Sequence, residues 1–175
     1  MKTVATAIIA AVLLSAAACA PVIEGGPPIA LPIGLQETAQ IGSVTLSTGW
    51  INAEDDFSET FSEEVHEELS RCMWGTAPIN LRVHIDEMQR AGRLETLLTG
   101  EGTHTLSGTV EFVDPADNRV LGRFPVSVAT SAQGRLGGVL GDRQMMVSEE
   151  FGRAVCELAF GRNPRDRGPH NATGG

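Results

Sequence analysis

Three cysteines, four histidines and one lysine bound the chemistry open to this 175-residue chain. The lysine is Lys2, so a mature chain cut anywhere after it has none. That excludes a Schiff-base lysine, a P-loop lysine and a lysine general base. Tyrosine is absent as well. His66, His84, His104 and His170 show no ligand spacing. His84 and His104 are expected on neighbouring strands, both facing out, where with Asp86 they could hold a metal. The plainer reading makes them solvated surface residues. The sequence contains no G-x-S-x-G, no H-E-x-x-H, no Walker A and no strand-following G-x-G-x-x-G. A Ser/His/Asp triad is assembled by a fold rather than by local spacing, and nothing local favours one. With no D-x-D-x-D-G loop, a dedicated calcium site is not expected. The expectation is a protein without catalysis, cofactor or metal.

Charge narrows the partners. Lys and Arg number 13 against 22 Asp and Glu, a net charge of -9. A general nucleic-acid binder needs a basic face, so no nucleic-acid partner is expected. The carboxylates from Glu54 to Glu68 read as a solvated helix face; the alternative is a docking surface for a basic partner or a weak cation site.

The third cysteine sits at a processing site. Lys2 gives a positive start, and residues 4–14 (VATAIIAAVLL) form an apolar run too short to span a bilayer, which takes ~20 residues. Small residues follow, then Cys19. Ala16-Ala17-Ala18-Cys19 resembles a bacterial lipobox, with Ala16 where leucine is usual and Leu13 and Leu14 upstream. That resemblance implies cleavage after residue 18 and a lipid on Cys19. An ordinary signal peptidase reading Ala16-Ala17-Ala18 would leave Cys19 unmodified. Residues 19–37 hold Pro21, Pro27, Pro28 and Pro32 with Gly25, Gly26 and Gly34. Proline fixes φ and removes donors, so this reads as a semi-rigid tether without regular structure. Its apolar residues (Val22, Ile23, Ile29, Leu31, Ile33, Leu35) suit packing against the domain or a partner. Ala20, in place of Asp after the cysteine, implies by analogy the periplasmic face of the outer membrane.

The elements that must position everything else lie in residues 38–161. Residues 41–47 alternate weakly as a strand. Phe57, Phe61, Val65, Leu69 and Cys72 recur every three or four residues, a helical stripe opposite Glu63, Glu64, Glu67 and Glu68. Asn52 or Asp55 can cap that helix, and Gly75 and Pro78 should end it. Residues 80–88, 103–113 and 119–130 alternate as strands hiding one face each, as in an antiparallel sheet covered on one side. Asp114-Pro115-Ala116-Asp117-Asn118 is turn chemistry between the last two. Pro125 implies an edge strand or a bulge. A final helix spans 147–160, capped by Ser148 or starting earlier at Asp142, and Gly161 and Pro164 stop it. Residues 90–102 and the glycine-rich 133–142 read as long loops, and 162–175 as a disordered tail. The expected fold is α+β with two layers: a four-stranded, mostly antiparallel sheet with two helices on one face, in the order β-α-β-β-β-α. No internal repeat is visible.

Lipobox, tether and element order together resemble small proteobacterial envelope lipoproteins. The layout is similar to that of the lipopolysaccharide-assembly lipoprotein LptE and the TolB N-terminal domain. The resemblance implies an assembly or transport role played through an envelope protein partner, with the membrane held through Cys19. A carrier of lipid or another apolar ligand between helices and sheet is the second reading, and a motif-less hydrolase the third. A pocket lined by Phe57, Phe61, Phe112 and Phe151 would favour the carrier. A filled core with an apolar patch at Leu97, Leu98, Leu136 and Leu140 would favour the first. With Cys19 assigned to lipid and the chain exported to an oxidising compartment, Cys72 and Cys156 are expected to pair across the two helices. The alternative is two buried thiols acting as small hydrophobes.

Overall fold

The computed structural model describes residues 26–48, 56–89, 103–131 and 140–162. The leader, Cys19, both long loops up to residue 139 and the tail past 162 lie outside them, as do Asn52, Glu54 and Asp55. The elements run α1 (Ile33–Thr38), β1 (Ala39–Thr48), α2 (Phe57–Ser70), β2 (Ala77–Gln89), β3 (Thr103–Val113), β4 (Val120–Ser131) and α3 (Leu140–Phe160). One sheet has the order β1-β2-β3-β4. β1 is parallel to β2, joined through α2, and the other two pairs are antiparallel. α2 lies over β1, α3 over β3 and β4, and the two helices pack on each other. The protein is therefore a two-layer α+β domain.

Alternation decides which face the helices cover. Ile79, Leu81, Val83 and Ile85 of β2 and Leu106, Val110 and Phe112 of β3 are buried beneath them. Asn80, Arg82, His84 and Asp86 point to the opposite, polar face. Pro125 sits on the edge strand β4. Arg123 turns both backbone groups away from β3, exchanging two 2.8 Å hydrogen bonds with Ile29. Pro125 has the same parity, so its missing N–H also falls on the outer edge, where β3 does not need it.

Four local expectations are corrected. Pro78 does not end a helix; it lies in β2, next to β1 but beyond the last β3 partner, Asn80. A proline is tolerated where one side of the strand has no ladder to serve. Gly75 serves a close approach: a Cβ there would sit 1.9 Å from the carbonyl oxygen of Thr38. Ser148 is not a cap, because α3 begins at Leu140 and takes in the end of the glycine-rich segment. Its hydroxyl donates instead to the carbonyl of Gln144, one turn back, at 2.7 Å. The tether is not uniformly irregular. Pro32 stands at the N-cap of α1, where its fixed φ suits a helix start, and Leu31 is buried against Gly122.

The hairpin turn follows its residue types. The Asp114 carboxylate accepts from Ala116 N–H at 2.9 Å, that of Asp117 from Arg119 N–H at 3.0 Å, and Asn118 adopts φ 60°. α3 stops at Gly161, φ 62°, whose N–H donates to Glu157 at 3.0 Å.

Candidate functional site

The polar sheet face carries the one Ser/His/Asp row among the described residues that could suggest catalysis. Ser47 and His84 face each other across β1 and β2, with Ser47 Oγ 3.0 Å from His84 Nδ1. Asp86 Oδ1 lies 3.5 Å from His84 Nε2. Local sequence missed this row because Ser47 comes from another strand. The constellation is poorly built for acyl transfer. Ser47 Oγ also reaches the carbonyl of Val83 at 3.3 Å, and a hydroxyl has one proton to donate. The Asp86 carboxylate is 57% exposed, so water competes for the imidazole that a triad aspartate must hold. Among the described residues, α2 and α3 lie over the opposite face of the sheet, so neither N-terminus supplies an oxyanion site here. The row reads as cross-strand polar pairing, like Ser107 and Ser127, whose hydroxyls meet at 2.9 Å on the same face.

The histidine metal pair does not form. His84 is registered with Thr109 and His104 with Thr130, so they are five β3 positions apart. Their parities also differ: His104 shares the helix-covered face with Leu106 and Val110, whereas His84 is on the polar face. The expectation that both face out is corrected for His104. Among the described residues no group of three His, Cys, Asp or Glu side chains could hold a metal.

The polar face also holds a buried ion pair. Glu111 and Arg123 are registered partners on β3 and β4. Arg123 donates through Nε at 2.8 Å and Nη2 at 2.7 Å to the same oxygen of Glu111. Their side chains are 3% and 13% exposed, so each depends on the other.

The second arrangement is the α2–α3 seam. Cys72 and Cys156 form a disulfide with Cα atoms 6.0 Å apart, inside the range a bridge can span. One turn back on each helix, Gly152 meets Glu68. A Cβ on Gly152 would lie 2.8 Å from Glu68 Cβ and 3.2 Å from Val65 Cα. Glycine thus sets the separation that the cysteines bridge. Glu68, expected on the solvated face, is buried in this seam. The stripe from Phe57 to Leu69 faces the sheet, and Glu68 lies one turn before Cys72 on the flank toward α3. Arg71 Nη1 donates to Glu68 Oε1 at 2.6 Å. Burial pushes the Glu68 carboxyl above the usual glutamate range; Arg71 and Arg153 pull it back, and Glu149 and Glu67 add to the rise. Glu64 is also raised, by burial first and then by Glu149, Glu67, Glu63 and Glu68. The spacing of Cys72 and Glu68 was the available signal, and the stripe pattern alone hid it.

Between the layers the phenylalanines meet one another. Phe57 and Phe61 have ring centroids 5.6 Å apart, Phe61 and Phe151 5.2 Å, and Phe112 lies 5.6 Å from Phe160 and 5.9 Å from Phe124. Phe57, Phe61, Phe112 and Phe151 are fully buried. Rings at contact distance fill space rather than line it. Of the apolar patch sought at Leu97, Leu98, Leu136 and Leu140, the first three lie outside the described residues, and Leu140 is described only as the first residue of α3.

No protein-family model matches the chain, and no curated protein does. Solved structures share its outline. A candidate lipoprotein of Caulobacter crescentus is 14% identical with a TM-score of 0.45, covering 65% of this chain and 84% of its own. The PelC dodecamer of Paraburkholderia phytofirmans is 12% identical with a TM-score of 0.44, covering 77% and 96%. A minor lipoprotein of Acinetobacter baumannii is 17% identical with a TM-score of 0.35, covering 73% and 95%. They do not show the likeness to LptE or to the TolB N-terminal domain.

Proposed function

We propose that this protein is a lipid-anchored envelope protein, held at the periplasmic face of the outer membrane through Cys19. It acts by contacts with other envelope proteins in assembly or transport, without catalysis of its own. The filled interior is the observation that carries this choice. Of the phenylalanines that would line a carrier's pocket, Phe57, Phe61 and Phe151 meet one another tilted or edge-on, and Phe112 meets Phe124 and Phe160, which leaves the surface to do the work. The lipobox-like end at Cys19 supports the anchor. A buried disulfide suits a compartment where thiols are oxidised.

Two measurements test the reading. Replacing Cys19 with Ser should move the protein from the membrane to the soluble fraction, since stable anchoring takes more than one acyl chain and the variant would have none. Mass spectrometry finding Cys19 unmodified in the wild-type protein would refute the anchor. Cross-linking in intact cells should recover one envelope protein in fixed proportion, and recovery of none would count against the contact role.

A further inference from the structure

Among the described residues, the large exposed apolar side chains are Ile29, Ile33, Trp74, Met145, Met146 and Leu158. Topology divides them between two ends of the domain. β1 and β2 start, β3 ends and β4 starts at one pole, since Ala39 pairs with Ala77, Asn80 with Val113 and Val113 with Val120. α2 runs down to the same pole, delivering Trp74 just before β2. α3 ends there too, because Cys156 is bridged to Cys72. The chain enters at this pole as well. Ile29 pairs with Arg123 on the β4 edge, and α1 then crosses to the opposite edge, where β1 begins. Ile29, Ile33, Trp74 and Leu158 therefore share the tether's pole. Met145 and Met146, in the first turns of α3, lie at the other end.

We infer that this pole rests on the lipid surface, with Ile33, Trp74 and Leu158 seated at headgroup depth. The inference rests on the anchor reading for its direction. From Cys19 to Ile29 the chain runs ten residues, which reach ~35 Å at most. A lipid on Cys19 thus keeps this pole, and not the methionine end, near the bilayer. The side chains have interfacial chemistry. Ile33 is 78% exposed, Leu158 54% and Trp74 49%, a cost in water that the acyl boundary removes. Trp74 lies under the Arg162 guanidinium, 4.1 Å from ring centre to carbon, pairing an amphipathic ring with a cation. Tryptophan concentrates at such interfaces, and arginine can keep its head in the phosphate layer. The tether, residues 19–37, carries two charged residues, Glu24 and Glu37, among six apolar side chains, so most of it suits the surface.

The test uses the full mature chain with Cys19→Ser and an N-terminal His tag, held on vesicles of phosphatidylethanolamine, a minor fraction of phosphatidylglycerol and a nickel-chelating lipid. Trp50→Phe leaves Trp74 as the sole tryptophan. Vesicle binding should shift Trp74 emission to shorter wavelength, and lipids brominated near the headgroup should quench it more than deeply brominated ones. Ile33→Glu with Leu158→Glu, both at exposed positions, should return emission and quenching to their values in solution; an unchanged urea midpoint shows that the variant is folded. Trp74 emission that is unshifted and unquenched on the vesicles overturns the inference. Because the tag replaces the acyl chain, this outcome is independent of Cys19 lipidation, which mass spectrometry decides separately.

Discussion

Removing the Cys72–Cys156 bridge should cost this domain a large share of its stability. The cysteines are 84 positions apart, so the bridge closes a loop of about 85 residues. In the chain-entropy model such a loop removes ~15 cal/mol/K from the unfolded chain, about 4.6 kcal/mol at room temperature. Set against the 5–15 kcal/mol (roughly) that holds a domain together, that is about three-tenths or more. For a domain of about 120 residues it corresponds to a midpoint roughly 18 °C lower. Cys72 and Cys156 are both buried, so alanine is the suitable replacement; serine would bury a hydroxyl, and even alanine leaves a small void. The assay is urea unfolding of the Cys19→Ser chain, oxidised and with reductant, beside the Cys72→Ala/Cys156→Ala variant. Reduction in the native state should be slow, because reductant must wait for the seam to open. Oxidised and reduced chains unfolding within about 1 kcal/mol of each other would refute the loop-entropy reasoning. Two reactive thiols in the unfolded, unreduced chain would refute the bridge itself.

Three further outcomes follow from the seam and the polar face. Gly152→Ala gains ~1 kcal/mol of helix propensity but drives a methyl into Glu68 Cβ and Val65 Cα, where overpacking costs about 1–3 kcal/mol. The net result in urea unfolding should be a loss, and a gain of stability would show that the helices part freely. Arg123→Met strands the buried Glu111 and should cost roughly 3 kcal/mol, whereas Glu111→Leu with Arg123→Met should cost much less; equal losses would mean that pairing is not what matters. Glu68 titrates higher folded than unfolded, so the folded state holds more protons between the two values. Stability should therefore fall as pH rises through that window and level off above it. Glu68→Gln should flatten part of this fall in urea midpoints measured across acid pH, and an unchanged slope would remove Glu68 as a source.

The sheet and its covering were legible because period-two alternation reports burial directly. Leu81, Val83 and Ile85 against Arg82, His84 and Asp86 mark both faces of β2. The pairing of Cys72 with Cys156 was legible from the export that the leader implies and from two helices sharing one sheet face. What escaped was set by neighbours distant in sequence. Glu68 looks solvated on its own helix and is buried only because Gly152 lets α3 approach. Ser47, His84 and Asp86 align only once β1 and β2 are in parallel register. His104 keeps the parity of Leu106 and so falls on the covered face, although as a histidine at a strand's start it looks like a surface residue. Pro78 reads as a breaker because nothing local shows that the β2–β3 ladder ends at Asn80, opposite Val113.

The polar face is poorly arranged for a reaction. A catalytic row needs one group starved of water and another held for a single task. Here the groups farthest from water are Glu111 and Arg123, and they satisfy each other. Asp86, which would have to orient His84, is the most exposed member of its row. Burial and unsatisfied hydrogen-bonding capacity coincide instead at the helix seam. There one oxygen of Glu68 has no hydrogen-bond partner, and its carboxyl is shifted by burial. That seam is closed by a disulfide and by a glycine that admits no side chain, so it is a place to store stability rather than to admit a substrate. On the outside, the domain presents a polar sheet face and, where its tether enters, a pole with Ile29, Ile33, Trp74 and Leu158 exposed beside the charged Asp114–Arg119 turn.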